Sequence, residues 1–134
     1  MNTPAGVEPI AIIGLAVRVP GASNTDEFWR NLIDGRESIT FFDREQQLAI
    51  GATPDELDHP SWVSAAPVVD GLEDFDAEVF GMTDREAEIA DPQHRLFLET
   101  AFTALEDGGY DPARHPGAIG VYAGTGAAHY EWLN

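Results

Sequence analysis

The chain contains no cysteine, which excludes a disulfide framework, a thiolate metal site and a cysteine nucleophile within its 134 residues. Positive charge is scarce. Seven Lys+Arg stand against 24 Asp+Glu, for a formal net charge of −17 with the histidines neutral. Such a surplus repels phosphate backbones and anionic headgroups, so neither nucleic-acid binding nor attachment to a membrane is expected. A long hydrophobic run is missing as well. The longest apolar stretch, residues 10–17, is interrupted only by glycine and is far too short to cross a bilayer. The N-terminus has neither the basic start nor the apolar centre of a secretory signal, and a cytoplasmic location is the expectation. No internal repeat at a solenoid period and no low-complexity tract is present.

What remains is a foldable composition. Apolar residues make up 43 % of the chain and aromatics 10 %, in a length that buries one core and hardly two. Ile10-Ala-Ile-Ile-Gly-Leu-Ala-Val17 is β-branched and lacks polar alternation, which predicts a strand buried on both faces. Arg18-Val-Pro-Gly21 ends it, because proline cannot donate to a ladder and glycine admits the turn. Ser23-Asn-Thr-Asp26 then offers a cap, and Phe28, Trp29, Leu32 and Ile33 recur at helical spacing before Gly35. That pattern predicts a helix of about three turns.

From Glu37 to Glu88 the pattern loosens around Pro54, Pro60 and Pro67, so an irregular surface excursion with one or two short helices is expected. A short strand is expected around Val68, with Phe41-Phe42 anchoring the excursion to the core and Phe75, Val79, Phe80 and Met82 forming a second apolar cluster. Regularity returns at Asp91, a cap, and Pro92, whose missing N–H costs nothing at the first helical position. Leu96, Phe97, Ala101, Ala104 and Leu105 then form one stripe before Gly108-Gly109. Ala118-Ile-Gly-Val-Tyr-Ala-Gly124 predicts a second buried strand. The order strand, helix, excursion, helix, strand is an α/β layout whose sheet is sparse against the usual ~5 to 6 strands. Large apolar residues at Tyr130, Trp132 and Leu133 without linker composition lead to the expectation that the chain ends inside a fold.

Local candidates for chemistry are few. His59, His94, His115 and His129 show no i+3 or i+4 pairing and read as surface or loop histidines, not as metal ligands. Asp70-Gly-Leu-Glu-Asp-Phe-Asp76 lacks the register of a calcium loop and reads as a solvated acidic face. Gly120, Gly124 and Gly126 follow a strand as in a dinucleotide site, but position 129, where the third fingerprint glycine would fall, is His. Close backbone packing explains them as well. Arg95 is different, since a cation in a first helical turn opposes the macrodipole and Glu99 four residues on is in the weaker order. It implies a specific partner elsewhere, most simply a carboxylate that fixes helix against sheet. Asp91 and Gln93 serve as caps and cross-links by the same logic.

Several of these stretches, taken in order, carry a resemblance. Glu8-Pro-Ile-Ala-Ile-Ile-Gly14-Leu-Ala-Val-Arg18-Val-Pro-Gly21, Phe28-Trp29 with Gly35-Arg36, and Phe75-Asp-Ala-Glu-Val-Phe80-Gly81 with Arg85-Glu86-Ala87 are three of them. Asp91-Pro-Gln-His-Arg-Leu-Phe-Leu-Glu99 and Ala104-Leu-Glu-Asp107 follow. Together they resemble the start of the β-ketoacyl synthase (ketosynthase) domain of modular polyketide synthases. The stretches around Phe41-Phe42, His59-Pro60 and residues 119–124 look most like ketosynthases of hybrid peptide and polyketide assembly lines.

The resemblance implies a thiolase-like layered α/β fold of sheets and helices, of which residues 8–134 would be the N-terminal portion after a lead of residues 1–7. Family members pass an acyl chain from a carrier-protein phosphopantetheine to a catalytic cysteine, and two histidines assist while a malonyl-type extender loses carbon dioxide and attacks the thioester. In the family that cysteine and both histidines lie beyond the strand matching residues 119–124. No catalytic, cofactor-binding or metal-binding residue is therefore assigned, and Val17, where many members carry a different, non-nucleophilic cysteine, changes little. Gly14, Arg18, Asp91, Pro92, Gln93 and Arg95 match the motifs and are assigned structural roles. The implied partners are an acyl carrier protein, the rest of the ketosynthase and a second copy in a homodimer. The chain alone is expected to be inactive, truncated before the cysteine and of poor autonomous stability, with open sheet edges. The alternative is a non-catalytic acidic α/β interaction module, a ketosynthase remnant that holds an assembly-line partner.

Overall fold

Each helix in the computed structural model, which describes residues 9–126, starts at a side chain that accepts a hydrogen bond from its own first turn. The described residues gather into two units, one of residues 17–74 and one of residues 9–16 with 75–126.

In residues 17–74, the chain turns at Gly21, whose φ of 75° suits glycine, and Val19 and Ala22 exchange backbone hydrogen bonds at 3.0 Å. Helix α1 (Thr25–Ile33) follows, capped by Asn24, whose Oδ1 accepts from Glu27 N at 2.9 Å. The Glu27 carboxylate returns to Ser23 N and Oγ at 2.9 and 2.8 Å. Strand β1 (Ile39–Phe41) pairs antiparallel with β2 (Ala65–Pro67), Ile39 opposite Pro67 and Phe41 opposite Ala65. Between them lie α2 (Arg44–Ala49) and α3 (Pro54–Leu57), each opened by a capping box, Asp43 with Gln46 and Thr53 with Glu56. Gln47 is buried and satisfied: its Nε2 donates to the carbonyls of Phe42 and Asp43 at 3.0 and 3.1 Å, and its Oε1 accepts from the Trp62 indole.

The excursion is more regular than its composition predicts. Residues 37–88 carry two short helices, the start of a third and two strands, because polar caps with a glutamine or glutamate three positions on start helices that apolar periodicity is too short to announce. The strand expected around Val68 is β2, which ends one residue before it. Phe41 does not anchor the excursion: at the end of β1 it is 71 % exposed, and Phe42 beside it is half-buried.

The other unit holds α4 (Asp84–Ile89), with its Thr83–Glu86 capping box, and α5 (Pro92–Asp107), closed by Gly108 and by Gly109 at a φ of 71°. The Phe75 and Phe80 rings stack at 5.1 Å and Phe102 meets Phe80 edge-on at 6.2 Å, so the second apolar cluster is tied to α5. Val79 stays outside it, 60 % exposed.

The two buried strands are not found. Residues 10–17 and 118–124 form neither helix nor ladder, and Ile10, Ile12, Val121 and Tyr122 are exposed. An apolar, β-branched run becomes a buried strand only where neighbours supply ladder partners and a second covering layer, and among the described residues nothing supplies either. Among the described residues the buried apolar side chains are small, Ala22, Ala77 and Ala87, and no large side chain is fully buried.

Candidate functional site

Both ends of helix α5 meet chain that is distant in sequence. At its start Asp91, itself buried, accepts from Gln93 N through Oδ1 at 2.7 Å, and its carbonyl accepts from His94 N at 2.9 Å. Pro92 occupies the first helical position. The Gln93 side chain faces residues far along the chain, its Oε1 accepting from Gly126 N at 3.2 Å. Arg95 is half-buried, and among the described residues its Nε is buried with no hydrogen-bond partner.

At the other end the backbone of residues 13–15 lies directly on the helix. A Cβ on Gly14 would fall onto the Ala104 carbonyl oxygen and 2.8 Å from Gly108 N, and one on Gly108 would lie 3.2 Å from Ile13 O. Leu15 N donates to Asp107 Oδ2 at 2.9 Å. Five of the residues singled out from the sequence thus lie on one unit, Asp91, Pro92, Gln93 and Arg95 at the start of α5 and Gly14 at its end. A helix of 16 residues separates those ends by roughly 24 Å, too far for one chemical centre. Arg18 belongs to residues 17–74, where its Nη2 donates to Asp70 O at 3.0 Å beside the tight turn at Gly71.

Along the face of α5 between these ends runs an open apolar groove of about 540 Å³, walled by Ile12, Ile13, Phe97, Ala101, Leu105 and Val121 among others. It can take up apolar surface. Tyr110, His115 and Tyr122 are the acid–base side chains in its lining, beside an otherwise apolar wall. At helix starts Glu27, Glu56 and Glu86 are held below the usual carboxylate range, first by the backbone N–H groups of Ser23, Thr53 and Thr83 and then by their hydroxyls. His59 Nδ1 accepts from Ser61 N at 3.2 Å, the His115 ring lies edge-on to Tyr110 at 5.4 Å, and His129 lies outside the described residues. Among the described residues no three His, Asp or Glu gather as metal ligands, and no helix is long and apolar enough to cross a membrane.

Sequence reasoning missed two anchoring side chains. Gln47 gave no signal, whereas Asp107 left one: an acid in the last helical turn, where the macrodipole favours a base.

The chain belongs to the β-ketoacyl synthase family, whose N-terminal domain it matches over residues 7–134. It is 45 % identical over 121 residues to a component of the phenolphthiocerol/phthiocerol polyketide synthase of Mycobacterium tuberculosis, a match that covers 90 % of this chain and 8 % of that protein. It is 37 % identical over 131 residues to a pikromycin polyketide synthase component of Streptomyces venezuelae, covering 94 % of this chain and 4 % of that one. Among solved structures it is similar to ketosynthase twelve of the bacillaene polyketide synthase from Bacillus amyloliquefaciens, with a TM-score of 0.63, 38 % identity and coverage of 72 % of this chain and 17 % of that one. The chain therefore spans less than a tenth of these curated relatives and about a sixth of the solved ketosynthase. Its fold is that of the N-terminal portion of a thiolase-like ketosynthase, present here as helices and a small sheet.

Proposed function

We propose that these residues are the front of a polyketide synthase ketosynthase and contribute scaffold, not catalytic groups, to a decarboxylative Claisen condensation. In that reaction an acyl thioester is passed to a cysteine thiol, releasing the carrier thiol. A malonyl-type thioester then loses carbon dioxide, and its carbon displaces the cysteine as the new carbon–carbon bond forms. Phosphopantetheine on an acyl carrier protein would present both acyl groups, and none of these 134 residues is a thiol able to receive one. The share of this chain is accordingly to hold shape.

The observation that carries this reading is the uncovered apolar surface along α5 and residues 10–15 and 119–122, in a chain that matches a ketosynthase N-terminal domain. A face of that kind is what one layer of a layered domain presents before the next covers it. Within the scaffold, Gly14 permits close packing, Asp91 and Pro92 start α5, Gln93 and Arg18 cross-link distant chain, and the buried Arg95 Nε awaits an acceptor supplied elsewhere in the ketosynthase. The partners would be the acyl carrier protein, the remainder of the ketosynthase and a second copy of it.

The test is to join the chain to a ketosynthase's downstream segment and follow acyl loading by the mass of the intact protein. Acylation of a downstream thiol is expected. Persistent failure in an intact, folded domain overturns the reading in favour of an acidic interaction module. The mass of the polypeptide in its native producer is a simpler companion measurement, with a value far above 14.5 kDa expected.

A further inference from the structure

The last turn of α5 ends in two acids, Glu106 and Asp107, and holds no base. The carbonyls of a helix C-terminus gather partial negative charge there, so a carboxylate stands against its surroundings. Asp107 has a partner that accounts for it. Its Oδ2 accepts from the backbone N–H of Leu15 at 2.9 Å, across 92 residues of sequence.

The bond falls where the two backbones come closest. Gly14 lies against the Ala104 carbonyl and Gly108, and Gly108 in turn lies against the Ile13 carbonyl. Two glycines permit the approach, and one carboxylate selects the amide that sits beside it. Sliding residues 10–16 by one position would bring a side chain, that of Ile13 or Leu15, onto the Ala104 carbonyl and offer Asp107 a different N–H. Both contacts therefore specify the same register, and in a segment meant for a sheet a one-residue slip sends every side chain to the opposite face.

We propose that Asp107 is a positioning residue that sets the register of residues 10–16 on α5. Its use rests on the scaffold reading above: a segment fixed on its helix side presents its other backbone groups to neighbouring strands of a ketosynthase in a defined phase. The placement itself does not depend on that reading.

Hydrogen–deuterium exchange of the full chain, resolved to single amides by NMR, tests it with Asp107→Ala, which removes the acceptor, and Asp107→Asn, which keeps an oxygen in the same place. Leu15 is expected to exchange about tenfold faster in Asp107→Ala and within about threefold of the unsubstituted rate in Asp107→Asn, while the amides of Ala101 and Leu105 in α5 are unchanged. An unchanged Leu15 rate in Asp107→Ala overturns the proposal. So does the lack of any protection at Leu15 in the unsubstituted chain, or loss of protection along α5 in both variants, which would mean that the residue holds the helix and not the segment. Failure of the ketosynthase reading appears separately, as absent acyl loading with Leu15 protection intact.

Discussion

In residues 17–74 backbone groups find partners within the unit: β1 pairs with β2, Phe42 N donates to Ser64 O at 2.9 Å, and Gln47 closes the loop beneath them. In residues 9–16 and 75–126 the helices are equally well capped, yet the two segments richest in strand-forming residues have no ladder among the described residues; Leu15 N is held by Asp107, and Gly126 N, just past the second segment, by Gln93. The contrast separates two kinds of instruction in a sequence. A cap or a short ribbon is complete where it stands, whereas a central strand is half of a statement finished by its neighbours.

The largest effect should come from the pinned side. Gly14→Val drives a branched side chain into the Ala104 carbonyl and the Gly108 backbone, neither of which can yield cheaply. A loss of about 3 kcal/mol is expected in urea unfolding. Amide exchange should place that loss in α5 and residues 9–16 and leave α1 as it was. Equal loss in α1 would show that the two units do not unfold separately and would dissolve the contrast.

Next in size is Gln47→Leu, a change of similar volume that strips the Phe42 and Asp43 carbonyls of a donor and the Trp62 indole of its acceptor. Unpaired groups at a buried position cost about 2 kcal/mol. The change should be read in the tryptophan emission, shifted by a freed Trp62. Asp91→Ala follows at about 1 kcal/mol, the ordinary worth of an N-cap, and far-ultraviolet circular dichroism should show α5 fraying from its first turn. An unaltered helix would mean that Pro92 and the packing of its face suffice.

How much of this was legible in the sequence follows the same division. The start of α5 is written in Asp91-Pro92, and that of α1 in the polar stretch before Phe28 and Trp29, because each cap acts on its own first turn. The α/β class and the family were legible through the ordered motifs. Boxes at Thr53–Glu56 and Thr83–Glu86 were equally local, but they open helices of four and six residues whose faces are too short to show a period, and the region reads as loop. The strands failed for the opposite reason: residues 10–17 declare that they need burial without naming what buries them. Asp107 and Gln47 stayed hidden because a carboxylate or an amide reveals its purpose only beside its partner, and the partner of Asp107 is 92 residues away.

The smallest effect tests whether the local chemistry is as self-contained as it looks. Glu86 accepts from Thr83 N at 2.7 Å, and this bond, foremost among several, holds its carboxyl below the usual glutamate range. A folded-state value below the unfolded one means that the box supports α4 fully above the ordinary glutamate value of about 4.3 and loses that support as pH falls through the lowered value. Between about pH 6 and about pH 3 the Thr83 amide should therefore lose protection in the unsubstituted chain. Glu86→Gln should flatten that profile, since an amide can complete such a box without titrating, as Gln46 does at the start of α2. If α4 frays with acid in both forms, the groups that titrate lie outside the box, and even the best-capped short helix takes its stability from contacts the local sequence does not contain.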